Sequence, residues 1–167
     1  MTEDYYATLS PNDILMSIPT PISVLVADDH ALVRASIVAM LNNEPEIAVI
    51  GEATNGADAI EKARDLAPDV VVMDMGMPLV GGISATEEIT GARNAPRVLI
   101  ISQFEEEEYI RDSMKAGAGG YVLKDALVAE LPHAIRVVYD GGHFFSPRIA
   151  QRIVGFYLKS VVPAPQS

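Results

Sequence analysis

Asp28, Asp29 and Asp74 are carboxylates, Ser102 is a hydroxyl and Lys124 an ammonium, and each follows or ends a short apolar run. Neighbouring carboxylates repel one another, and a hard divalent cation relieves that repulsion. Mg²⁺ suits such a cluster, because it takes oxygen ligands from one or two carboxylates and keeps several waters. A lysine adds a mobile positive charge. Carboxylate, Mg²⁺, lysine and hydroxyl together meet the needs of phosphoryl transfer. The cations neutralise the equatorial oxygens, the hydroxyl donates to one of them, and a carboxylate attacks in line. Asp74, which ends the run VVVM (Val70 to Met73), is the natural nucleophile, with the acidic pair beside it.

Singly, each residue has an ordinary role. Asp28 could cap a helix starting at Ala31. Asp74 could be a turn residue, Ser102 a strand-end hydroxyl and Lys124 a solvated surface lysine. His30 reads as helix-start packing without a catalytic role, and Tyr121 as core. Glu105 to Glu108 suit a helix first turn, where the macrodipole favours acids. Ordinary roles do not account for polar residues at the ends of strands one, three, four and five together.

The elements that must position these residues follow from periodicity. Ile22 to Ala27, Ile47 to Ala53, Val70 to Met73, Arg97 to Ser102 and Gly120 to Lys124 read as strands. Ala31 to Asn43, Gly56 to Ala67, Ile83 to Ala92, Glu105 to Gly117 and Ala126 to Gly142 read as helices. Strict alternation demands right-handed crossovers and a parallel sheet covered on both faces, which explains strands that are apolar throughout. A flavodoxin-like open sheet and a small Rossmann-like one both satisfy this, and in either the ligand site lies beyond the carboxyl ends of the strands. Ser146-Pro147 reads as an N-cap with proline at the first helical position, opening a sixth helix over Pro147 to Lys159. Residues 1–21 form an extension with one short helix near Asp13 to Ser17.

Composition excludes other chemistry. The 167 residues suffice for one domain with a substantial core. A net charge of −11 opposes direct binding to a phosphate backbone. There is no cysteine, so disulfides, thiolate metal sites and cysteine nucleophiles are absent. No signal peptide and no membrane span is readable, and a cytoplasmic protein is expected.

The set Asp28-Asp29-His30, VVVMDMGMP, RVLIISQF and KAGAGGYVLKDA resembles the CheY-like receiver domain of bacterial two-component response regulators. The match covers about Pro21 to Gly142. "ADDHALVR" and "GGHFFSPRIAQRIV" are similar to the subclass that precedes a LuxR-type helix-turn-helix. The resemblance implies a flavodoxin-like (βα)5 fold with a doubly wound five-stranded parallel sheet in the order 2-1-3-4-5. Residues 22–142 would be the receiver, and residues 143–167 a linker helix and tail.

It also implies roles. Asp74 would accept a phosphoryl group from the phosphohistidine of a sensor histidine kinase. Asp29, Asp74 and the Gly76 carbonyl would hold Mg²⁺, with Asp28 supporting it. Lys124 and Ser102 would contact the phosphoryl group, and Tyr121 would follow inward. Gly76 and Phe104 would tune the phosphorylated lifetime, in a direction left open: a missing side chain at 76 opens the site, and phenylalanine at 104 closes it. Gly81, where an aspartate is frequent, implies a loosely started third helix. The subclass continues for about sixty residues as a DNA-binding domain, so DNA would be reached only through a domain not present here. A receiver cut from a longer regulator is expected, a stand-alone receiver being the alternative. A homodimer could form through the sixth helix or the face of the fourth and fifth helices.

Two enzyme readings fail. A haloacid-dehalogenase-type phosphohydrolase needs a second aspartate where Gly76 stands. A dinucleotide-binding enzyme needs a glycine-rich turn where ADDHAL stands. A non-phosphorylated interaction module would be expected to lose Asp74, the acidic pair or Lys124, and all are present.

Overall fold

The computed structural model describes residues 10–13 and 19–166. The short helix expected near Asp13 to Ser17 falls, beyond Asp13, outside the described residues. The body alternates β1 (Ile22–Ala27), α1 (Ala31–Asn42), β2 (Ile47–Ala53), α2 (Gly56–Leu66), β3 (Val70–Asp74), α3 (Gly82–Thr90), β4 (Arg97–Ser102), α4 (Glu107–Lys115) and β5 (Gly120–Leu123). A 3-10 turn over Lys124–Ala126 leads into α5 (Leu127–Tyr139). Then come β6 (Phe144–Phe145) and α6 (Pro147–Val161).

All neighbouring strands are parallel, in the order β2-β1-β3-β4-β5-β6. The flavodoxin-like order is as expected, with one addition. Phe144 and Phe145 pair with Gly120 and Tyr121 and extend the sheet by a sixth strand. Two residues carry no readable period, so nothing in their pattern announces a strand.

The strands are apolar throughout because both faces are covered. Val70 and Val72 point into a cluster with Ile37 and Leu41 of α1 and Leu131, Ile135 and Val138 of α5. Val71 and Met73 point the other way, against Ala59 of α2, Ala85 of α3, Ile110 of α4 and Ile149 of α6. The two-residue period of a strand thus splits one apolar run between two cores. Asn55 caps α2 by accepting from the Asp58 N–H at 2.8 Å.

The start of α3 abuts the end of β3. A β-carbon on Gly82 would lie 2.1 Å from the Asp74 carbonyl oxygen and 2.8 Å from Met75 Cα. Only glycine allows that approach. Gly82→Ala is expected to cost about 1–3 kcal/mol, read as a lower denaturation midpoint, because the clash is with backbone that cannot turn aside. Gly81 is the N-cap residue of α3 and offers no side-chain cap, so α3 is positioned by this packing.

α6 is rooted in the body. Ile149 is fully buried, Ile153 and Phe156 pack against the same core, and the helix lies on α4, β5 and β6. Ser146 occupies the N-cap position, but its side chain does not cap the helix. Its hydroxyl donates to Glu130 Oε2 at 2.5 Å and accepts from the Leu123 N–H at 3.0 Å. A capping hydroxyl would accept from a first-turn N–H; here the oxygen accepts instead from the buried Leu123 N–H, which would otherwise be unpaired, while the proton goes to a carboxylate. Among the described residues, no helix is long and apolar enough to cross a membrane.

Candidate functional site

The parallel sheet brings the ends of β1, β3, β4 and β5 to one edge. β1 delivers Asp28, fully buried, and Asp29. Asp74 is the last residue of β3 and Ser102 the last of β4, both buried. Lys124 follows β5 at the head of the 3-10 turn. The carboxylates expected to gather do so: one ligand atom each from Asp28, Asp29, His30 and Asp74 all lie within 4.8 Å of one another.

Lys124 Nζ stands 3.0 Å from Asp74 Oδ1 and 3.4 Å from Asp28 Oδ2. The Gly76 N–H donates to Asp74 Oδ1 at 3.3 Å. Asp74 Oδ2, buried, has no hydrogen-bond partner. Burial pushes the Asp74 carboxyl above the usual carboxylate range, and Asp28 adds to this against the pull of Lys124. Burial works to lower the Lys124 ammonium, but the bond to Asp74 and the charges of Asp74 and Asp28 hold it above its ordinary value.

Asp28 does not cap α1. His30 takes the N-cap position, and Asp28 Oδ1 accepts from the His30 N–H at 2.8 Å. The His30 ring nitrogen Nδ1 lies 3.3 Å from Asp28 Oδ1 and 3.2 Å from Asp29 Oδ1. A single Nδ1–H serves one of them, and Asp29 Oδ1 is left without a hydrogen bond. Sequence reasoning gives His30 no part in the site, yet its place directly after two aspartates is a signal that it borders the cluster. The Asp28 carbonyl is held by Arg34 Nη1 at 2.7 Å, a tie from α1 that the sequence does not announce.

The Ser102 hydroxyl is turned elsewhere. Its oxygen accepts from the Phe104 N–H at 3.0 Å, and it lies 3.8 Å from the Met75 sulfur. It makes no hydrogen bond with Asp74. Tyr121, expected to move inward, is already fully buried. Its hydroxyl donates to the Phe104 carbonyl at 2.8 Å, and burial pushes it up to about 12. Tyr121→Phe strands that carbonyl and should lower stability by about 1 kcal/mol in a chemical-denaturation measurement. Because the folded value lies above the usual 10, the tyrosine's contribution is present below 10 and lost as pH rises through about 12. Phenylalanine removes that alkaline loss.

Phe104 is half-buried and stacks on Tyr109 at 4.8 Å between centroids. A side chain at Gly76 would meet nothing within 4 Å. Of the two positions flanking the carboxylate, one is open and the other is packed toward α4.

A family model for the response regulator receiver domain matches residues 24–136. GacA of Pseudomonas viridiflava is 42% identical over 142 residues, covering 85% of this chain and 65% of GacA. UvrY of Escherichia coli is 41% identical, covering 79% of this chain and 61% of UvrY. The chain spans less than two thirds of the length of these curated relatives. The crystal structure of a LuxR-family two-component response regulator from an Aurantimonas species is 34% identical with a TM-score of 0.79, covering 83% of this chain and 99% of that one.

Proposed function

The chain belongs to the response regulator receiver domain family of two-component systems, and on that premise we propose that Asp74 accepts a phosphoryl group from the phosphohistidine of a sensor histidine kinase. The observation that carries this is one carboxylate at the end of β3. Asp74 is buried, its Oδ1 is fixed by Lys124 and Gly76, and its Oδ2 is free. In the transfer the phosphorus–nitrogen bond to the histidine breaks and an aspartyl oxygen–phosphorus bond forms. Lys124 follows the incoming negative charge. The Ser102 hydroxyl leaves Met75 and donates to a phosphoryl oxygen. That releases the Phe104 N–H, and so reaches the carbonyl that Tyr121 holds.

The donor set fits Mg²⁺. It consists of hard carboxylate oxygens on Asp28, Asp29 and Asp74, joined by the Gly76 carbonyl. Each of those three carboxylates has a buried oxygen without a hydrogen-bond partner: Asp28 Oδ2, Asp29 Oδ1 and Asp74 Oδ2. When bound, the ion supplies positive charge to the carboxylates and to the transferring oxygens. Mg²⁺ at a hundredfold excess over its Kd should stabilise the fold by about 2.7 kcal/mol, read as a raised melting temperature. Asp29→Ala should remove most of that rise.

The protein acts as a phosphoacceptor switch that assists its own phosphorylation and dephosphorylation, not as a turnover enzyme. The open flank at Gly76 and the outward packing of Phe104 support ready access of water, hence a short-lived phosphorylated form. Output is transcriptional through a C-terminal DNA-binding domain outside this chain. Relatives described as transcriptional regulatory proteins, such as DegU of Brevibacillus brevis, support that reading. The same reading places the protein in the cytoplasm.

The test is intact-protein mass spectrometry after incubation with acetyl phosphate. One phosphoryl adduct that needs Mg²⁺ supports the switch. An unmodified chain that also fails to bind beryllofluoride would instead favour a non-phosphorylated interaction module.

A further inference from the structure

His30 turns one ring atom to the carboxylate edge. Its Nδ1 lies 3.3 Å from Asp28 Oδ1 and 3.2 Å from Asp29 Oδ1. The imidazole does not cap α1, although His30 occupies the N-cap position. Its side chain is 64% exposed, so neither the helix nor the core holds it there. Lys124 stands on the other flank, with Nζ near Asp74 Oδ1 and Asp28 Oδ2. Between the two lie three carboxylates, each with a buried oxygen that has no hydrogen-bond partner. Asp28 is fully buried and Asp74 nearly so, and orphaned oxygens at that depth are costly unless something answers them. A proton on Nδ1 serves one oxygen at most, and Asp29 Oδ1 is left without one. A cation would answer the ring nitrogen and the carboxylates together, because one ligand atom from each of Asp28, Asp29, His30 and Asp74 falls within a span of 4.8 Å.

We infer that His30 Nδ1 is a fourth ligand at this site, and that it gives the chain a preference for the late first-row divalent ions Co²⁺, Ni²⁺ and Zn²⁺ beyond that of the carboxylates alone. The inference rests on the metal site proposed above and adds a nitrogen to its oxygens. The ring binds as the tautomer with its proton on Nε2. The Nδ1 lone pair then faces two anionic oxygens, an arrangement that a cation makes favourable. Ligand chemistry sets the selectivity. Imidazole suits Ni²⁺, Zn²⁺ and their neighbours, whereas Mg²⁺ takes oxygen ligands and keeps its waters. Mg²⁺ therefore uses the carboxylates and leaves the ring aside, so the two classes of ion depend differently on one residue. The chain has two other histidines, and both are placed elsewhere. His143 Nδ1 is 3.2 Å from the Gly119 carbonyl, before the start of β5, and His133 packs edge-on against Phe144.

The experiment is isothermal titration calorimetry of the untagged whole chain with Mg²⁺ and, separately, with Ni²⁺, beside a His30→Ala chain. The expected result is a Ni²⁺ Kd weakened by about tenfold or more, since losing even a residue that only orients a ligand costs that much, and an unchanged Mg²⁺ Kd. The His30 side chain is exposed and caps nothing, so the metal-free melting curve should stay the same, which separates a lost ligand from lost folding. Proton NMR of the Ni²⁺-loaded chain reads the bond itself. Imidazole ring protons shifted far outside their usual range should appear in the natural chain and be missing from His30→Ala. Equal losses for both ions would make His30 an orienting partner of the carboxylates and overturn the proposal. An unchanged Ni²⁺ affinity, or shifted ring protons that persist in the variant, would overturn it too. In each of those cases Mg²⁺ binding by the natural chain leaves the metal site proposed above standing. A natural chain that binds neither ion would overturn both.

Discussion

An Asp74→Asn chain takes up no phosphoryl group from acetyl phosphate in the presence of Mg²⁺, and at neutral pH it melts above the natural chain. The first half follows from chemistry, because an amide neither attacks phosphorus nor shares a cation as a carboxylate does. The second follows from where the carboxylate sits. Burial and the nearby Asp28 raise the Asp74 carboxyl above its usual range despite Lys124. A folded-state value raised above the unfolded one means that folding favours the protonated form. The contribution is fully present below the unfolded value and is lost as pH rises through the folded value. At neutral pH the natural chain therefore carries a penalty that asparagine removes. Each kcal/mol recovered is worth about 2–4 °C in a chain of this size. On acidification the two melting temperatures should converge. A variant that melts lower at pH 7 would mean that the Lys124 contact outweighs burial. Retained phosphorylation would move the acceptor to another residue.

Lys124→Met has the opposite sign. The lysine's folded value is held above its ordinary one, so its charged form contributes stability that is fully present at neutral pH. Methionine keeps most of the aliphatic stem and removes the cation 3.0 Å from Asp74 and 3.4 Å from Asp28. Breaking a fully buried pair costs about 3–5 kcal/mol. With the Lys124 side chain 22% exposed, solvent screens part of this, and a loss of about 1–3 kcal/mol is expected. Thermal melts across pH check the origin. The deficit should shrink on acidification, as Asp74 takes up a proton and no longer needs a counter-charge. Mg²⁺ should restore more stability to this variant than to the natural chain, because it supplies the missing positive charge. A deficit independent of both pH and Mg²⁺ would point to lost packing of the stem.

The sheet and the gathering of Asp28, Asp29, Asp74 and Lys124 were legible in the sequence for one reason: strand ends in an alternating α/β chain share an edge, and the apolar runs mark those ends. Features built from distant residues were not legible. Ser146-Pro147 has the local pattern of a cap, but the hydroxyl's fate is decided by Glu130, sixteen positions earlier, and by a strand N–H at Leu123. Phe144 and Phe145 form a strand because β5 has a free side, which two residues cannot signal. The tie from Arg148 to Asp125 and Glu105 joins α6 to the loops after β5 and β4, and no short-range rule links those positions. Ser102 shows the limit in the site itself. Its presence was readable, but its orientation toward Met75 and the Phe104 N–H was not.

The two-residue strand β6 has a further consequence. Without it, β5 would be the outermost strand on its side of the sheet, with Gly120 to Leu123 all apolar and a row of backbone groups unpaired. Such an edge is a template for a strand of another molecule and a starting point for aggregation. Phe144 and Phe145 occupy it, and the root of α6, fastened by Ser146, keeps them there. The segment after Gly142 is thus a guard on the sheet as much as a lead toward whatever follows, and its extreme shortness leaves little edge of its own to recruit a partner.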